Sequence, residues 1–290
     1  MMKSIVTLLR PAQWMKNLFI LLPLFFSGKM LNLEYCESVI WSVVAFTLAA
    51  CSIYVINDLV DADADRQHPV KCQRPIASGA VNSLTAVALA ACCFISSLLV
   101  SGLLVNMKVA MVVAVYYVLN VAYCLKLKQI AILDVLIVSL GFLLRLLVGS
   151  YATDVVLSQW IVLMTFLLAL FLALGKRRDD VLIYEQHGIK ARGNVHRYNL
   201  DYTNQAMSVM AAVTIVCYVM YTVSPEVTQR LHTSKLYLTT LFVVAGILRY
   251  MQMTFVYQQS CSPTRVLLHD AFIQLCVLGW AVSFAVIIYM

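Results

Sequence analysis

The chain has 290 residues, of which 62% are hydrophobic and only 12% charged, and its mean hydropathy is +0.86. A soluble domain is typically about half apolar and about a quarter charged, so lipid must be the solvent for most of this surface, which excludes a soluble enzyme, a disordered regulator and a secreted disulfide scaffold. The 21 Lys+Arg against 14 Asp+Glu leave a formal +7, an excess that in a membrane chain marks cytoplasmic loops, so no nucleic-acid partner is expected.

A bilayer core takes about 20 apolar residues of helix. Such runs fall at 14–31, 39–57, 84–105, 108–125, 131–151, 157–175, 204–222, 235–254 and 268–289. The first is the weakest, because Pro23 interrupts it and Lys29 closes it. No small-x-small cleavage site follows its apolar stretch, so it does not read as a signal peptide. The runs lack the alternation of barrel strands, and lipid cannot satisfy exposed backbone groups, so they are read as helices. The nine Cys show no C-x-x-C spacing. Most sit inside apolar runs (Cys51, Cys92, Cys93, Cys217, Cys276) and read as small buried hydrophobes without a metal or disulfide role. The expected fold is an all-α polytopic bundle of about nine transmembrane helices, with residues 1–290 forming a single integral-membrane domain.

Basic residues set the orientation. With the N-terminus in the cytoplasm, one face carries Lys3, Arg10, Lys16, Arg66, Lys71, Arg74, Lys126 and Lys128. It also carries Lys176, Arg177, Arg178, Lys190, Arg192, Arg197, Arg249 and Arg265. The other face keeps Lys29, Lys108, Arg230 and Lys235, and Arg145 falls within a span. The N-terminus is therefore expected inside and the C-terminus outside. The longest polar stretches, Asn57–Ser83 and Lys176–Thr203, lie on the cytoplasmic face as connections after the second and sixth spans.

The first stretch opens Asn57-Asp58-Leu59-Val60-Asp61-Ala62-Asp63-Ala64-Asp65-Arg66. If the second helix runs on, Asn57, Asp61 and Asp65 stack on one face at four-residue intervals, with Asp58 beside them. Like charges so placed repel, and the helix needs a cation to compensate. Hard oxygen ligands in a row suit Mg²⁺, which keeps waters and bridges to substrate phosphates. Asp63 points elsewhere. A calcium loop of the EF-hand type fits poorly, since its glycine and terminal glutamate are absent. Lys71 and Arg74 follow closely and suit phosphate oxygens. Metal-binding acids followed by phosphate-binding bases point to a diphosphate substrate.

This pattern, N-D-x-x-D-x-x-x-D followed by H-P-x-K-x-x-R-P-I-x-S-G, resembles the first signature of the UbiA superfamily of intramembrane transferases. The resemblance implies nine transmembrane helices around a central cavity. In typical prenyltransferases of that superfamily a second aspartate-rich motif follows the sixth span and completes a Mg²⁺ cage for a prenyl diphosphate. Here the segment is Gly175-Lys176-Arg177-Arg178-Asp179-Asp180-Val181-Leu182-Ile183-Tyr184-Glu185. Three bases precede the acids. A positive-inside flank would explain them alone; in a second cavity-facing cluster they imply more substrate phosphate than one diphosphate presents.

The departure resembles the branch containing decaprenyl-phosphate phosphoribosyltransferase. Similar stretches are Arg10-Pro11-Ala12-Gln13-Trp14-Met15-Lys16-Asn17, Leu133-Asp134-Val135 through Gly141-Phe142 to Arg145, and Arg249-Tyr250 with Pro263 and Asp270. The resemblance implies transfer of a phosphoribosyl group from phosphoribosyl diphosphate to a polyprenyl phosphate lipid. In that reading Asp58, Asp61 and Asp65 bind Mg²⁺ and Asn57 orients the metal shell. Asp179 belongs to the substrate-binding set, while Asp180 and Glu185 contact ribose hydroxyls or a second metal. Lys71, Arg74, Lys176 and Arg177 bind donor phosphates, and Arg10 and Lys16 take the lipid phosphate. Arg145 should face the cavity or pair with Asp134 or another acid, because an isolated charge mid-span is costly. His68 reads as structural, against the first cluster.

The first alternative is a prenyltransferase that moves an isoprenoid from its diphosphate to an aromatic or other acceptor. A transporter is more distant, since it would spread acids along the spans, and here nearly all sit at cytoplasmic ends. No tail or soluble module points to a protein partner, and self-association into a homo-oligomer stays open.

Overall fold

A computed structural model of the chain describes residues 2–67, 70–188, 193–258 and 263–289. Every regular element among them is helical, as lipid requires of a chain that must satisfy its own backbone. Among the described residues eight helices are long and apolar enough to cross a membrane, matching the second to ninth expected spans. The first expected span is broken. Helix α1 (Met2–Leu9) ends at Arg10, which takes the left-handed conformation at φ 52°. Residues Pro11–Leu21 form a 3₁₀ helix and α2 covers only Leu22–Phe26. Proline fixes φ and removes a donor, and Pro11 and Pro23 stand at the starts of these two short elements.

The chain divides into two compact units, Met1–Lys128 with Leu144–Val156, and Gln129–Leu143 with Leu157–Met290. The first is built on α3 (Leu33–Val60), followed by the short α4 (Ala62–Arg66), α5 (Ser83–Leu104) and α6 (Met107–Leu125). Asn32, Asn82 and Asn106 cap α3, α5 and α6 by accepting from backbone N–H groups at the first turn, which satisfies donors that water would otherwise take. Helices α3 and α5 meet through small residues. Ser52 Oγ donates to the Ala90 carbonyl at 2.7 Å, and Ser97 Oγ to the Ala45 carbonyl at 2.6 Å. Lipid gives apolar side chains little reason to leave it, so close backbone approach and interhelical hydrogen bonds hold such a pair. The large aliphatic residues Ile95, Leu99, Leu103, Met111, Val115 and Val118 point outward instead.

Helix α7 (Leu133–Thr153) contributes its second half to this unit. Gly149 is required there: a Cβ at this position would lie 2.1 Å from the Ile20 carbonyl oxygen of the 3₁₀ helix. Phe46 of α3 packs on Tyr116 of α6 with ring centroids 4.3 Å apart.

The second unit contains the start of α7, then α8 (Gln159–His187), α9 (Leu200–Val223), α10 (Pro225–Arg230), α11 (Thr240–Phe255), α12 (Pro263–His269) and α13 (Ala271–Tyr289). Helix α8 overruns its expected end. It continues through the charged segment to His187, where Gly188 at φ 68° closes it. The segment expected as a loop from Lys176 is helical because backbone hydrogen bonds need no apolar side chain, and oppositely charged residues a turn apart support it. Arg249 on α11 clamps Asp270, just before α13, at 2.8 Å. That hydrogen-bonded pair holds the Asp270 carboxyl below the usual carboxylate range.

Gly149→Ala is expected to destabilise the protein by about 1–3 kcal/mol through overpacking. Gly102→Ala, whose new Cβ would stand an ordinary 3.9 Å from Ala110, should leave thermal unfolding of the detergent-solubilised protein unchanged or slightly raised.

Candidate active site

The acidic sequence lies at the end of α3, where its charges decide the local backbone. The helix gives way at Asp61 (φ −90°, ψ 0°) and resumes as α4. Two hydrogen bonds carry the ladder across the break, Asp61 N–H to the Asn57 carbonyl at 3.0 Å and Asp65 N–H to the Asp61 carbonyl at 2.8 Å. The four-residue backbone register of Asn57, Asp61 and Asp65 thus continues across the bend, while the Asp61 and Asp65 carboxylates meet different cations. The expected compensating cations are present. Asp58, 3% exposed, accepts from Arg10 and, at 3.2 Å, from Arg74 Nη1. The same Nη1 donates to Asp65 Oδ2 at 2.7 Å. Asp61 accepts from Lys128 Nζ at 2.5 Å. Asp63 turns outward and pairs with Arg66 at 2.6 Å.

These carboxylates suit a hard divalent cation. Asp58 and Asp65 already converge on one cationic nitrogen, and oxygen donors of that kind are what Mg²⁺ takes. Among the described residues no three His, Cys, Asp or Glu side chains gather closely enough to hold a metal by themselves. An ion here would therefore draw its remaining ligands from water and substrate, as Mg²⁺ commonly does.

Bases surround the acids within the same unit. Arg10 lies over the Tyr54 ring at 5.5 Å, and Lys16 on the 3₁₀ helix stands within electrostatic reach of Arg10 and Arg145. Arg145 is 5% exposed. Its Nε donates to Asn17 Oδ1 at 2.9 Å, Asn17 in turn donates to Thr47, and the guanidinium rests over Phe46 and Tyr116 at 4.7 and 5.2 Å. The partners described for Arg145 are thus an amide and aromatic faces. Lys71 lies half-buried on a short 3₁₀ turn, Lys71–Gln73. His68 lies outside the described residues.

In the second unit the charged run is wound around α8, so consecutive residues meet different surroundings. Lys176 and Glu185 are exposed, whereas Arg177, Arg178 and Asp179 are buried. Arg177 pairs with Asp180 one turn on, and its Nε lies 3.0 Å from Asp134 Oδ2 on α7. Asp134, fully buried, also accepts from the Tyr198 hydroxyl at 2.7 Å. That hydroxyl accepts from Ile132 N–H at 2.6 Å, and Ile132 is held at φ 70°, unusual for a β-branched residue. Burial pushes the Tyr198 phenol well above its ordinary range, so it remains a donor to Asp134 at any physiological pH. Gly175 lets Tyr250 approach, since a Cβ there would lie 2.8 Å from the Tyr250 hydroxyl.

Each cluster is thus a network of both signs. Sequence reading missed Lys128, taken only as an orientation charge, and the supporting roles of Asn17 and Tyr198. Only spatial proximity identifies them, because each acts on a residue far away in the chain.

Lipid-spanning helices that carry such clusters at their ends define the class, an integral-membrane transferase. Residues 19–276 match the UbiA prenyltransferase family, and the chain belongs to that family. The decaprenyl-phosphate phosphoribosyltransferase of Mycolicibacterium smegmatis is 36% identical over 300 residues, covering 100% of this chain and 93% of its own. The protein of the same name from Mycobacterium tuberculosis (strain H37Rv) is 34% identical over 219 residues, covering 74% of this chain and 72% of its own. Among solved structures, a UbiA homolog from Archaeoglobus fulgidus bound to GPP and Mg2+ superposes with a TM-score of 0.72 at 17% identity, covering 99% of this chain and 100% of that one. A UbiA homolog from Aeropyrum pernix K1 gives a TM-score of 0.63 at 15% identity, covering 93% and 97%. The protein is therefore a transferase of the UbiA superfamily, on the branch these relatives occupy.

Asp134→Asn is expected to cost on the order of 3 kcal/mol, because it strips a buried arginine of one carboxylate. Tyr198→Phe should cost about 1–2 kcal/mol, since it removes one hydroxyl from the same network. Thermal unfolding in detergent would rank the two.

Proposed function

We propose that the protein moves a 5-phosphoribosyl group from phosphoribosyl diphosphate to a polyprenyl phosphate, with Mg²⁺ as its metal, at the cytoplasmic face of a bacterial inner membrane. One observation carries the reading: Lys176, Arg177 and Arg178 precede the acids of α8, in a chain 36% identical along its whole length to a protein named for that transfer. The donor presents a diphosphate and a separate 5-phosphate, and the acceptor a third phosphoryl group, which calls for more bases than a prenyl diphosphate needs.

Asp58, Asp61 and Asp65 would hold Mg²⁺, with Asn57 orienting its shell, and the ion would neutralise the departing diphosphate. Arg74 and Lys71 orient the donor's phosphate oxygens beside these acids. Arg10 and Lys16 receive the lipid phosphate. Lys176 meets the remaining phosphate charge, while Asp180 and Glu185 address ribose hydroxyls or a second metal and Asp179 belongs to the substrate-binding set. In the transfer, the bond from the anomeric carbon to the diphosphate oxygen breaks, and diphosphate leaves with the electron pair. A bond from that carbon to an acceptor phosphate oxygen forms. Positive charge develops on the ribose ring as in glycosyl transfer. The acceptor oxygen is already anionic near neutral pH, so no side chain has to remove a proton. The protein's task is positioning and electrostatic stabilisation.

The family description and the GPP-bound relative favour a second reading, transfer of a prenyl group from its diphosphate. Membranes containing the protein, supplied with Mg²⁺ and polyprenyl phosphate, should incorporate label into lipid from phosphoribosyl diphosphate. Incorporation from a prenyl diphosphate alone would establish the second reading instead. Asp61→Asn should lower kcat by about 100-fold or more, and an unchanged rate would remove Asp61 from the metal site.

A further inference from the structure

Arg178 is 4% exposed on α8. A buried guanidinium normally finds a carboxylate, because a desolvated charge is costly. Its neighbour Arg177 has two, Asp134 and Asp180. Among the described residues no carboxylate lies within ion-pair distance of Arg178. Its Nε donates to the amide oxygen of Asn204 on α9 at 2.7 Å, and its guanidinium carbon lies 5.4 Å from the centre of the Phe255 ring at the end of α11. Nη1 is buried and has no acceptor among the described residues. Asp179 influences it electrostatically, but residues adjacent on a helix do not face one another.

Asn204 and Phe255 therefore fix the orientation of the guanidinium without cancelling its charge. Asparagine offers a neutral acceptor where aspartate would have offered a salt bridge, and an aromatic face attracts a cation only weakly. A planar fork held this way, with a donor left over, matches the oxygens of a phosphoryl group. We infer that Arg178 is a phosphate-binding residue of the second cluster, held for that purpose by Asn204 and Phe255, and that Arg177 beside it is structural. The assignment deepens the transferase reading and rests on it for the identity of the phosphate, though not for the existence of the anion site.

The test uses the full-length protein in detergent, with inorganic pyrophosphate as the probe. Arg178→Met should leave the probe-free Tm unchanged or raised, because a buried uncancelled charge has gone, and should cut the pyrophosphate-induced rise in Tm by at least about half. Asn204→Asp supplies a carboxylate in the same shape. It should raise the probe-free Tm and weaken the response to pyrophosphate, as though the site were already filled. A lower probe-free Tm in Arg178→Met with a full pyrophosphate response would make the arginine structural and overturn the inference.

Kinetics then identify the phosphate. Arg178→Lys keeps the charge but loses the fork, and should raise one KM by about tenfold with the other unchanged. A raised KM for phosphoribosyl diphosphate assigns Arg178 to the donor, and a raised KM for polyprenyl phosphate assigns it to the lipid. No change in either overturns the assignment. If the wild-type protein transfers nothing from phosphoribosyl diphosphate, the proposed reaction fails, while the pyrophosphate comparison still decides the role of Arg178.

Discussion

The constraint on which this structure depends is that a charge withdrawn from water must be answered locally. Asp58 and Asp134 lie almost fully inside the protein on helices meant for lipid. Each meets arginine nitrogens, and Asp134 also meets a tyrosine hydroxyl. Arg145 meets an asparagine amide and two aromatic rings. Buried acids are answered by bases, and buried bases by acids, amides or aromatic faces. The same requirement sets Arg10, Arg74 and Lys128 against the acids at the end of α3.

What could be read in the sequence follows from how locally each feature is determined. Lipid acts on each residue separately, so hydropathy located α5 and α6 to within a residue or two. Helix ends depend on nearby chemistry that hydropathy ignores. Helix α8 runs past its apolar stretch because Arg177 and Asp180 support the next turn, and the first expected span breaks near Pro23, where the 3₁₀ helix gives way to α2. Asp58, Asp65 and Arg74 were legible as a group because the whole motif spans few residues. Arg10 lies 48 residues from Asp58, Lys128 lies 67 from Asp61, and Asn17 lies 128 from Arg145. Those pairings depend on how the first unit folds. No spacing rule reaches them.

The run Lys176-Arg177-Arg178 shows why counting charges falls short of describing a site. Successive residues on an α-helix turn through about 100°, so three consecutive bases cannot share one environment. Lys176 faces outward, Arg177 enters a carboxylate network, and Arg178 sits between an amide and a ring. The sequence presents three interchangeable positive charges. The fold converts them into a surface charge, a cation paired with carboxylates and a cation oriented by neutral groups.

That last distinction links stability to binding. An arginine paired with carboxylates gains little from an incoming phosphate, which would have to displace them. One oriented by neutral groups is costly to the ligand-free protein, and an anion that occupies the site removes that cost on arrival. Preorganised groups of this kind need no rearrangement when charge develops. Such a site can stand at the end of a membrane helix because an arriving anion supplies the missing negative charge.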